Sequence, residues 1–310
     1  MESKNNYKAW LYLAPVLILL GLFTFYPLIN TFLISFMKDY DYSTGQFTEF
    51  TLDNYGIILH LKDYPDWLPN GKNATAFLDY ALPNTMFIAF VTVPISIIIS
   101  LGIAVLINSI KVFKKFFQTL FFMPYVTNVI AVGMVFSVIF ADHGLFNAIL
   151  GIKGTPWVSF SPELTWGHAM FALCMQIIWY ECPYKILIFL SGLQGIDQQY
   201  YDSAKVDNAG KWKTLTTVTI PLLSPQIFYI TITSFIGAFK EYQAVKGLFN
   251  RPGTSGNSLN LYTCVYYIYD VIKKPTIPIT YACAAAVVLF LIIMAFTALQ
   301  LWIGKKRVHY

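Results

Sequence analysis

Long apolar stretches separated by polar segments are the dominant pattern of this 310-residue chain. A helix needs about 20 residues to cross a bilayer, so each stretch is long enough to form a membrane-spanning helix. Proline and glycine inside such helices are tolerated where neighbouring helices satisfy the freed backbone groups. The pattern therefore predicts six spans, which are Trp10–Met37, Asn84–Asn108, Phe116–Phe140, Trp166–Leu193, Leu222–Phe239 and Ile277–Ile303.

Composition supports a membrane protein rather than a soluble one. Hydrophobic residues make up 56% of the chain and charged residues only 12%, with a mean hydropathy of +0.56, whereas soluble domains carry about 25% charged residues. The net charge of +5 does not indicate nucleic-acid binding, because the lysines are spread over short loops and form no basic stripe. We therefore expect an all-α, multi-pass membrane protein with one transmembrane domain over residues 1–310.

Lysine and arginine are denser in the segments on one side of the predicted spans, and this bias marks the cytoplasmic side. The basic residues of these segments are Lys4, Lys8, Lys111, Lys114, Lys115, Lys205, Lys211, Lys213, Lys305, Lys306 and Arg307. We therefore expect both termini to be cytoplasmic. Residues 194–221, between the fourth and fifth spans, then form the longest cytoplasmic loop.

Residue patterns typical of catalysis or metal binding are absent from the sequence. The cysteines show no CxxC spacing and the histidines are scattered, so we expect neither a disulfide nor a metal site. There is no phosphate-binding loop, no HExxH and no GxSxG. We therefore expect a protein that is not an enzyme and holds no cofactor. If ATP drives its action, another chain binds and hydrolyses that ATP.

The cytoplasmic loop is polar but carries signals of ordered structure. Asp197 can cap a first helix, the sequence DNAG at 207–210 breaks that helix, and Lys211–Thr219 forms a second. Pro221 and Pro225 are expected to turn the chain back into the membrane. One interpretation is a helix–turn–helix whose small residues let a partner approach closely. The other is an amphipathic loop on lipid headgroups, but a fixed elbow favours docking.

The segment YYDSAKVDNAG…VTIPLLSP of this loop resembles the coupling loop of bacterial ABC importer permeases. In that pattern Glu-Ala-Ala is followed after three residues by Gly, and after nine more by Ile-x-Leu-Pro. Asp202, Ser203, Asn208 and Val218 depart from the pattern, and Ile220 stands at its leucine. Asparagine tolerates left-handed backbone as glycine does. The resemblance implies a docking site for an ATPase subunit, formed by Asp202, Ser203, Ala204, Asp207, Asn208, Ala209, Gly210 and Pro221.

Most of the remaining chain is similar to the carbohydrate-uptake branch of these permeases, which includes maltose, multiple-sugar and glycerol-3-phosphate systems. The similar segments include FFMPYVTNVIAVGMVFSVIFADHGLFNAIL, WYECPYKILIFLSGLQGID and TSFIGAFKEYQAV. The resemblance implies a subunit of the bacterial cytoplasmic membrane that contacts lipid and pairs with a second permease subunit. It also implies two ATPase subunits that bind ATP and Mg, an extracytoplasmic solute-binding protein, and transport of a sugar or oligosaccharide by alternating access.

Charged residues inside a predicted span point to a functional site, because burying charge in a membrane is costly. Glu181 and Lys185 lie one helical turn apart in the fourth span, on either side of Pro183. Either the two residues form an ion bridge that supports the helices, or Glu181 binds solute. A kink at Pro183 could turn Trp179 and Glu181 toward one cavity. There the ring could stack on a sugar while the carboxylate accepts hydroxyl hydrogen bonds.

Resemblance to the maltose permease implies further solute contacts. Tyr125, Trp179 and Ser234 occupy sugar-contacting positions of that protein. Different residues fill four other such positions, which are Val129, Glu181, Ala238 and Glu241. Maltose itself is therefore not the expected substrate. The expected substrate-binding residues are Tyr125, Asn128, Trp179, Glu181, Lys185, Ser234, Ala238 and Glu241.

Other classes of function predict other patterns. A proton-coupled secondary transporter should show repeated halves and a relay of carboxylates and histidines within the spans, and neither is visible. A membrane-embedded enzyme needs catalytic residues clustered at one depth. An ABC importer of a non-sugar solute would share the coupling loop and differ in its solute site. The ABC importer of a sugar is the interpretation that the residues favour.

Overall fold

Helices form nearly all the regular structure in the residues that the computed structural model describes, which are 6–62, 76–110, 112–152, 154–158, 163–249, 261–274 and 277–307. The chain divides into two compact units, Met1–Leu78 with Tyr267–Phe290 and Asp79–Tyr266 with Leu291–Tyr310. The α-helices are α1 (Asn6–Leu20), α2 (Tyr26–Ile34), α3 (Asp53–Ile58), α4 (Leu82–Ser109), α5 (Lys114–Val126), α6 (Val129–Ile139), α7 (Leu145–Leu150), α8 (Trp166–Gly195), α9 (Gln198–Val206), α10 (Lys211–Thr214), α11 (Ile220–Leu222), α12 (Ser224–Phe239), α13 (Gln243–Phe249), α14 (Cys264–Lys273) and α15 (Ile279–Arg307).

Four helical segments are long and apolar enough to cross a membrane, and they correspond to the first, second, fourth and sixth predicted spans. These segments are Trp10–Ile34, Phe77–Ser109, Trp166–Gly195 and Ile279–Lys305. Two further spans are made if each of two bent helix pairs counts as one, which gives up to six. The all-α, multi-pass fold is thereby confirmed. The cytoplasmic placement of both termini stays a prediction, and Lys4 and Lys111, which contribute to it, lie outside the described residues.

The predicted third span, Phe116–Phe140, is not one continuous helix. α5 and α6 meet at an angle of 97° across Thr127 and Asn128, which both have extended backbone. Asn128 Oδ1 accepts hydrogen bonds from the backbone nitrogens of Ile130 and Ala131, at 2.9 and 3.3 Å. These bonds cap a new helix at a sharply different direction. The sequence did not predict this bend, because an apolar run records burial and not the capping side chain within it.

The second helix of the loop at 194–221 was predicted as Lys211–Thr219, and it is longer in the structure. That helix continues through Pro221 to Leu222, and a bend of 68° follows at Leu223 before α12 begins. A π-helical turn at Leu215–Thr219 directly precedes this proline. The other described π-helical turns, Gly21–Phe25 and Phe77–Ala81, likewise end two residues before a proline. The wider turn accommodates the missing N–H and the ring of proline without ending the helix.

The pair of α4 and α8 forms the centre of the second unit. Ser96, Ser100 and Ala104 recur every four residues along α4, and all three are buried. Small side chains at this spacing let two helices approach closely within a membrane. Ser100 Oγ donates a hydrogen bond to the backbone oxygen of Cys182 on α8, at 3.3 Å. The α4 face that packs on α8 is therefore both small and polar.

Glycines allow two other close approaches in this unit. A Cβ atom at Gly133 of α6 would lie 2.6 Å from the Cα of Gly247 in α13, and one at Gly247 would lie 2.8 Å from the carbonyl oxygen of Ile130. A Cβ atom at Gly192 of α8 would lie 2.7 Å from Cδ2 of Leu223. These distances are too short for any side chain. Glycine is therefore required for the crossing of α6 with α13, where the short contacts are to backbone atoms, whereas a side chain at Gly192 would displace the tip of Leu223.

In the first unit, a buried asparagine ties α3 to the end of α2. Asn54 Nδ2 donates hydrogen bonds to the backbone oxygens of Ser35 and Met37, at 2.9 and 2.8 Å. Thr280 Oγ1 of α15 lies 3.4 Å from Asn54 Oδ1. The amide group thus satisfies carbonyls that the end of α2 leaves without helical partners.

Candidate solute site and coupling loop

A lysine and a glutamate form an ion pair along α8. Lys185 Nζ lies 3.3 Å from Glu181 Oε2 and donates a hydrogen bond to Ser96 Oγ of α4, at 2.7 Å. The lysine side chain is only 2% exposed, whereas that of the glutamate is 42% exposed. The ion bridge considered from the sequence is therefore present. Because its carboxylate end is open, the pair does not prevent Glu181 from meeting a solute.

Tyrosine residues lie close to this carboxylate. Tyr125 of α5 stacks on Tyr184 of α8, with ring centroids 5.5 Å apart and planes inclined by 19°, and it lies 6.4 Å from the ring of Tyr180. The hydroxyls of Tyr184 and Tyr229 are 3.4 Å apart. Tyr180 directly precedes Glu181, and Tyr184 lies about one turn after it on the same helix. We call Tyr125, Tyr180, Tyr184 and Tyr229 the tyrosine cluster.

Sequence reasoning found only Tyr125 among the four tyrosines. A signal for two others was available, because Tyr180 and Tyr184 lie one turn apart on α8 and flank Glu181. Tyr229 lies on α12, and no spacing within the sequence connects it to α8.

The break between α5 and α6 adjoins the tyrosine cluster. The Tyr180 hydroxyl donates a hydrogen bond to the carbonyl oxygen of Thr127, at 3.3 Å. Asn128, a predicted solute contact, is exposed and uses its side-chain oxygen to cap α6. The next residue, Val129, begins that helix and is half-buried. The observed contact of Asn128 is therefore structural, and its position places it beside the cluster.

The predicted solute contacts Ser234, Ala238 and Glu241 lie on α12 or just after it. Glu241 Oε1 accepts a hydrogen bond from the backbone nitrogen of Ala244, at 2.8 Å, and so caps α13. Ser234 is half-buried and Ala238 is buried on α12. Among the described residues, no side-chain hydrogen bond joins Ser234 to the tyrosine cluster. The observed contact of Glu241 is therefore structural, and the roles of Ser234 and Ala238 in binding solute stay predictions.

Trp179 lies apart from the carboxylates. Its ring contacts Phe136 of α6, with centroids 5.4 Å apart, and it lines an apolar groove together with Ile99 and Phe121. α8 runs without a break through Pro183, and residues two apart on a helix diverge by about 200°. The structure therefore does not bring Trp179 and Glu181 to one cavity as the proposed kink required. With 45% of its surface exposed, Trp179 remains accessible on the apolar face.

The loop at 194–221 forms the predicted helix–turn–helix. Asp197 Oδ1 accepts a hydrogen bond from the backbone nitrogen of Gln199, at 3.0 Å, and caps α9. Asn208 adopts a φ of 52° at the elbow, a left-handed conformation that asparagine tolerates. Lys205 Nζ donates to Asp202 Oδ1 at 2.8 Å, and this hydrogen bond holds the pKa of the Asp202 carboxyl below its usual range. The surface of the loop therefore has an ordered shape.

The residues of the predicted ATPase docking site differ in their exposure to solvent. Asp207, Asn208, Gly210 and Pro221 are exposed, as are Asp202 and Ser203, whereas Ala209 is half-buried. Ala204 is buried within the chain, with only 8% exposed. It shares a face of α9 with Tyr201, whose hydroxyl lies 3.4 Å from Thr219 Oγ1. The small side chain of Ala204 therefore packs within the hairpin itself.

Apolar side chains are displayed on the outside of this hairpin. Val206 is 86% exposed at the end of α9, and Trp212 is 76% exposed on α10. Exposed apolar side chains flanking an ordered elbow are typical of a protein interface.

Comparisons with known proteins agree with this architecture. A family described as "Binding-protein-dependent transport system inner membrane component" matches residues 107–309. A lactose transport system permease protein of Rhizobium radiobacter is 28% identical, over 99% of this chain and 97% of the relative. An arabinooligosaccharides transport system permease protein of Halalkalibacterium halodurans is 30% identical, over 94% of this chain and 85% of the relative.

The fold is similar to a crystal structure of a bacterial ABC transporter involved in the import of the acidic polysaccharide alginate. The TM-score is 0.77 at 17% sequence identity, covering 99% of this chain and 98% of the other. The residues matched by the family include the ion pair, the tyrosine cluster and the helix–turn–helix. This chain belongs to the family of binding-protein-dependent transport system inner membrane components, the multi-pass permease subunits of ABC importers.

Proposed function

We propose that this permease subunit lines half of a path for a sugar or oligosaccharide, and that solute meets the tyrosine cluster, Glu181 and Glu241. The observation that carries the proposal is the half-exposed carboxylate of Glu181 among tyrosines of α5, α8 and α12. Aromatic faces stack on the apolar faces of sugar rings, while carboxylates and phenol hydroxyls bond sugar hydroxyls. The names of the relatives, which refer to lactose and arabinooligosaccharides, support the same class of solute.

In this proposal the coupling loop transmits the movement of the ATPase to the membrane-spanning helices. An ATPase subunit docks on the hairpin formed by α9 and the helix from Lys211 to Leu222, and binds ATP and Mg. A second permease subunit completes the path as a heterodimer, with one ATPase on each permease and an extracytoplasmic binding protein at the outer mouth. Closure of the ATPase pair moves the spans as rigid bodies and alternates access to the solute site. This subunit makes and breaks no bond.

Reconstitution tests the proposed function. The chain is co-produced with the permease, ATPase and binding-protein genes that neighbour its own gene, and the complex is placed in proteoliposomes. We expect uptake of at least one labelled sugar from a panel of lactose, trehalose, maltose and arabinotriose, dependent on both ATP and the binding protein. Absence of uptake for all the sugars, with an intact and ATP-hydrolysing complex, would overturn the assignment to sugar import.

The same vesicles separate an importer from a proton-coupled transporter. An ABC importer takes up solute when ATP is present and the proton gradient is collapsed by an uncoupler. Uptake that requires the gradient and continues without ATP would refute the ATP-driven mechanism.

A further inference from the structure

A cavity of about 490 Å³ lies between the end of α4 and the hairpin formed by α9 and the helix Lys211–Leu222. Tyr201 and Thr219 line it, and their side-chain oxygens are 3.4 Å apart, so the cavity adjoins the contact between the two helices of the hairpin. Val206 and Trp212, the exposed apolar residues of the hairpin, are not among the residues that line it. The cavity is therefore a surface separate from the one on which an ATPase is proposed to dock.

The wall that α4 contributes to this cavity is apolar. Val105 and Leu106 line it, and Leu106 is 65% exposed. Both residues lie near the end of Phe77–Ser109, a segment long and apolar enough to cross a membrane. The pattern of lysines predicts that this end is the cytoplasmic one. The apolar wall therefore lies where a span meets the headgroup region of the cytoplasmic leaflet.

The wall that the hairpin contributes carries positive charge. Lys205 and Lys211 line the cavity, and none of the described residues that line it is an aspartate or a glutamate. Lys205 donates a hydrogen bond to Asp202 at 2.8 Å, so its charge is balanced from outside the cavity. The other acids of the hairpin, Asp197 and Asp207, also lie outside the cavity wall. The ammonium of Lys211 forms no hydrogen bond or ion pair with another described residue, so it is available to an anion.

From these two walls we infer that the cavity binds an anionic phospholipid of the cytoplasmic leaflet, with its phosphate at Lys211 and an acyl chain along Val105 and Leu106. Basic pockets beside membrane-spanning helices on the cytoplasmic side suit anionic lipid headgroups. A free phosphate would use only the lysine and would leave the apolar wall uncovered. Because the lipid would touch both α4 and the hairpin, it would hold the coupling loop against the spans. This inference goes beyond the proposed function and does not depend on which solute is transported.

Lipid binding to the purified transporter, measured by native mass spectrometry, tests this site. The complex in detergent is titrated with dioleoylphosphatidylglycerol, which is anionic, or with dioleoylphosphatidylcholine, which has the same chains and no net charge. We expect the tightest-binding lipid to be held about fivefold more strongly when it is anionic. Lys211→Gln should remove this preference, and Lys211→Arg, which keeps the charge, should retain it. Lys213→Gln is the matched control, because Lys213 is an exposed lysine of the same helix that does not line the cavity.

Four outcomes would overturn the inference. Equal affinity for the two lipids would mean that the cavity does not recognise an anionic headgroup. Equal losses in Lys211→Gln and Lys213→Gln would mean that the basic surface attracts lipid without a defined site. Displacement of the anionic lipid by an equal concentration of inorganic phosphate would assign the cavity to a free anion. Absence of bound lipid from the intact complex would leave the cavity to a protein partner. None of these results bears on sugar import, which the uptake assay measures separately.

Discussion

Removing either member of the ion pair in α8 should have unequal effects on stability, because only one member is buried. Glu181→Gln leaves the ammonium of Lys185, which is 2% exposed, without its carboxylate. Lys185→Met leaves the carboxylate of Glu181, which is 42% exposed and can still be solvated. Methionine is close to lysine in length and is apolar, so it can fill the same space between α4 and α8.

The magnitudes follow from the burial of the remaining charge. Breaking a buried pair costs about 3–5 kcal/mol when the other charge stays buried. The retained hydrogen bond to Ser96 offsets about 1 kcal/mol, and a lysine can also lose its proton. We therefore expect Glu181→Gln to reduce the free energy of unfolding by about 2–3 kcal/mol. Pairs with an exposed member contribute only about 0–1 kcal/mol, so Lys185→Met should cost less than about 1 kcal/mol.

Thermal unfolding of the assembled transporter in detergent measures this difference. Unfolding of large complexes is often irreversible, so the variants are ranked at one scan rate. The double variant Glu181→Gln with Lys185→Met has no stranded charge and should recover most of the loss of the single Glu181→Gln change. If Lys185→Met is the more destabilising single change, or if the double variant is as unstable as Glu181→Gln, the reasoning from unequal burial is refuted.

Three further predictions concern packing, docking and orientation. Gly133→Ala should destabilise the protein by about 1–3 kcal/mol through overpacking of α6 on α13. The control Gly102→Ala has nothing within 4 Å of the added carbon and should change stability by less than about 1 kcal/mol. Equal thermal stability of the two variants would contradict the close crossing. Val206→Glu, on the exposed surface of the hairpin, should reduce co-purification of the ATPase without lowering stability. Ala204→Arg should instead lower the stability of the hairpin itself. Normal ATPase binding by Val206→Glu would argue against docking there. A reporter fused after Tyr310 should be active only in its cytoplasmic form, and an external signal would contradict the predicted orientation.

Local signals in the sequence predicted the coupling loop well because its determinants are local. A carboxylate two residues before a backbone N–H caps α9 at Asp197, and the asparagine at 208 adopts the left-handed backbone that the elbow needs. Four of the predicted spans correspond to helices long and apolar enough to cross a membrane, since uninterrupted apolar length is the property that a bilayer selects. The bend at Asn128 was missed although its cap is local, because the surrounding apolar run masked a single polar side chain.

The candidate solute site could be predicted only in part, because its residues come together through tertiary packing. Spacing along α8 places Glu181 and Lys185 on one face, but nothing in the sequence shows that Ser96 of α4 would bind the lysine. The same is true of Tyr229, which reaches Tyr184 from α12. For Trp179 the expectation depended on a proline kink, and α8 continues through Pro183 as an unbroken helix.

The bend at Leu223 makes the second helix of the coupling loop a lever arm. The helix from Lys211 to Leu222 is about 18 Å long at a rise of roughly 1.5 Å per residue. Leu223, which follows this helix, is fully buried and packs against Gly192 of α8. If this helix rotates about Leu223, a displacement of about 3 Å at its Lys211 end corresponds to a rotation of about 10°. Movement of a docked ATPase would then be transmitted to α12 through Leu223. The amount of movement that reaches α12 would depend on how tightly the Leu223 side chain is packed.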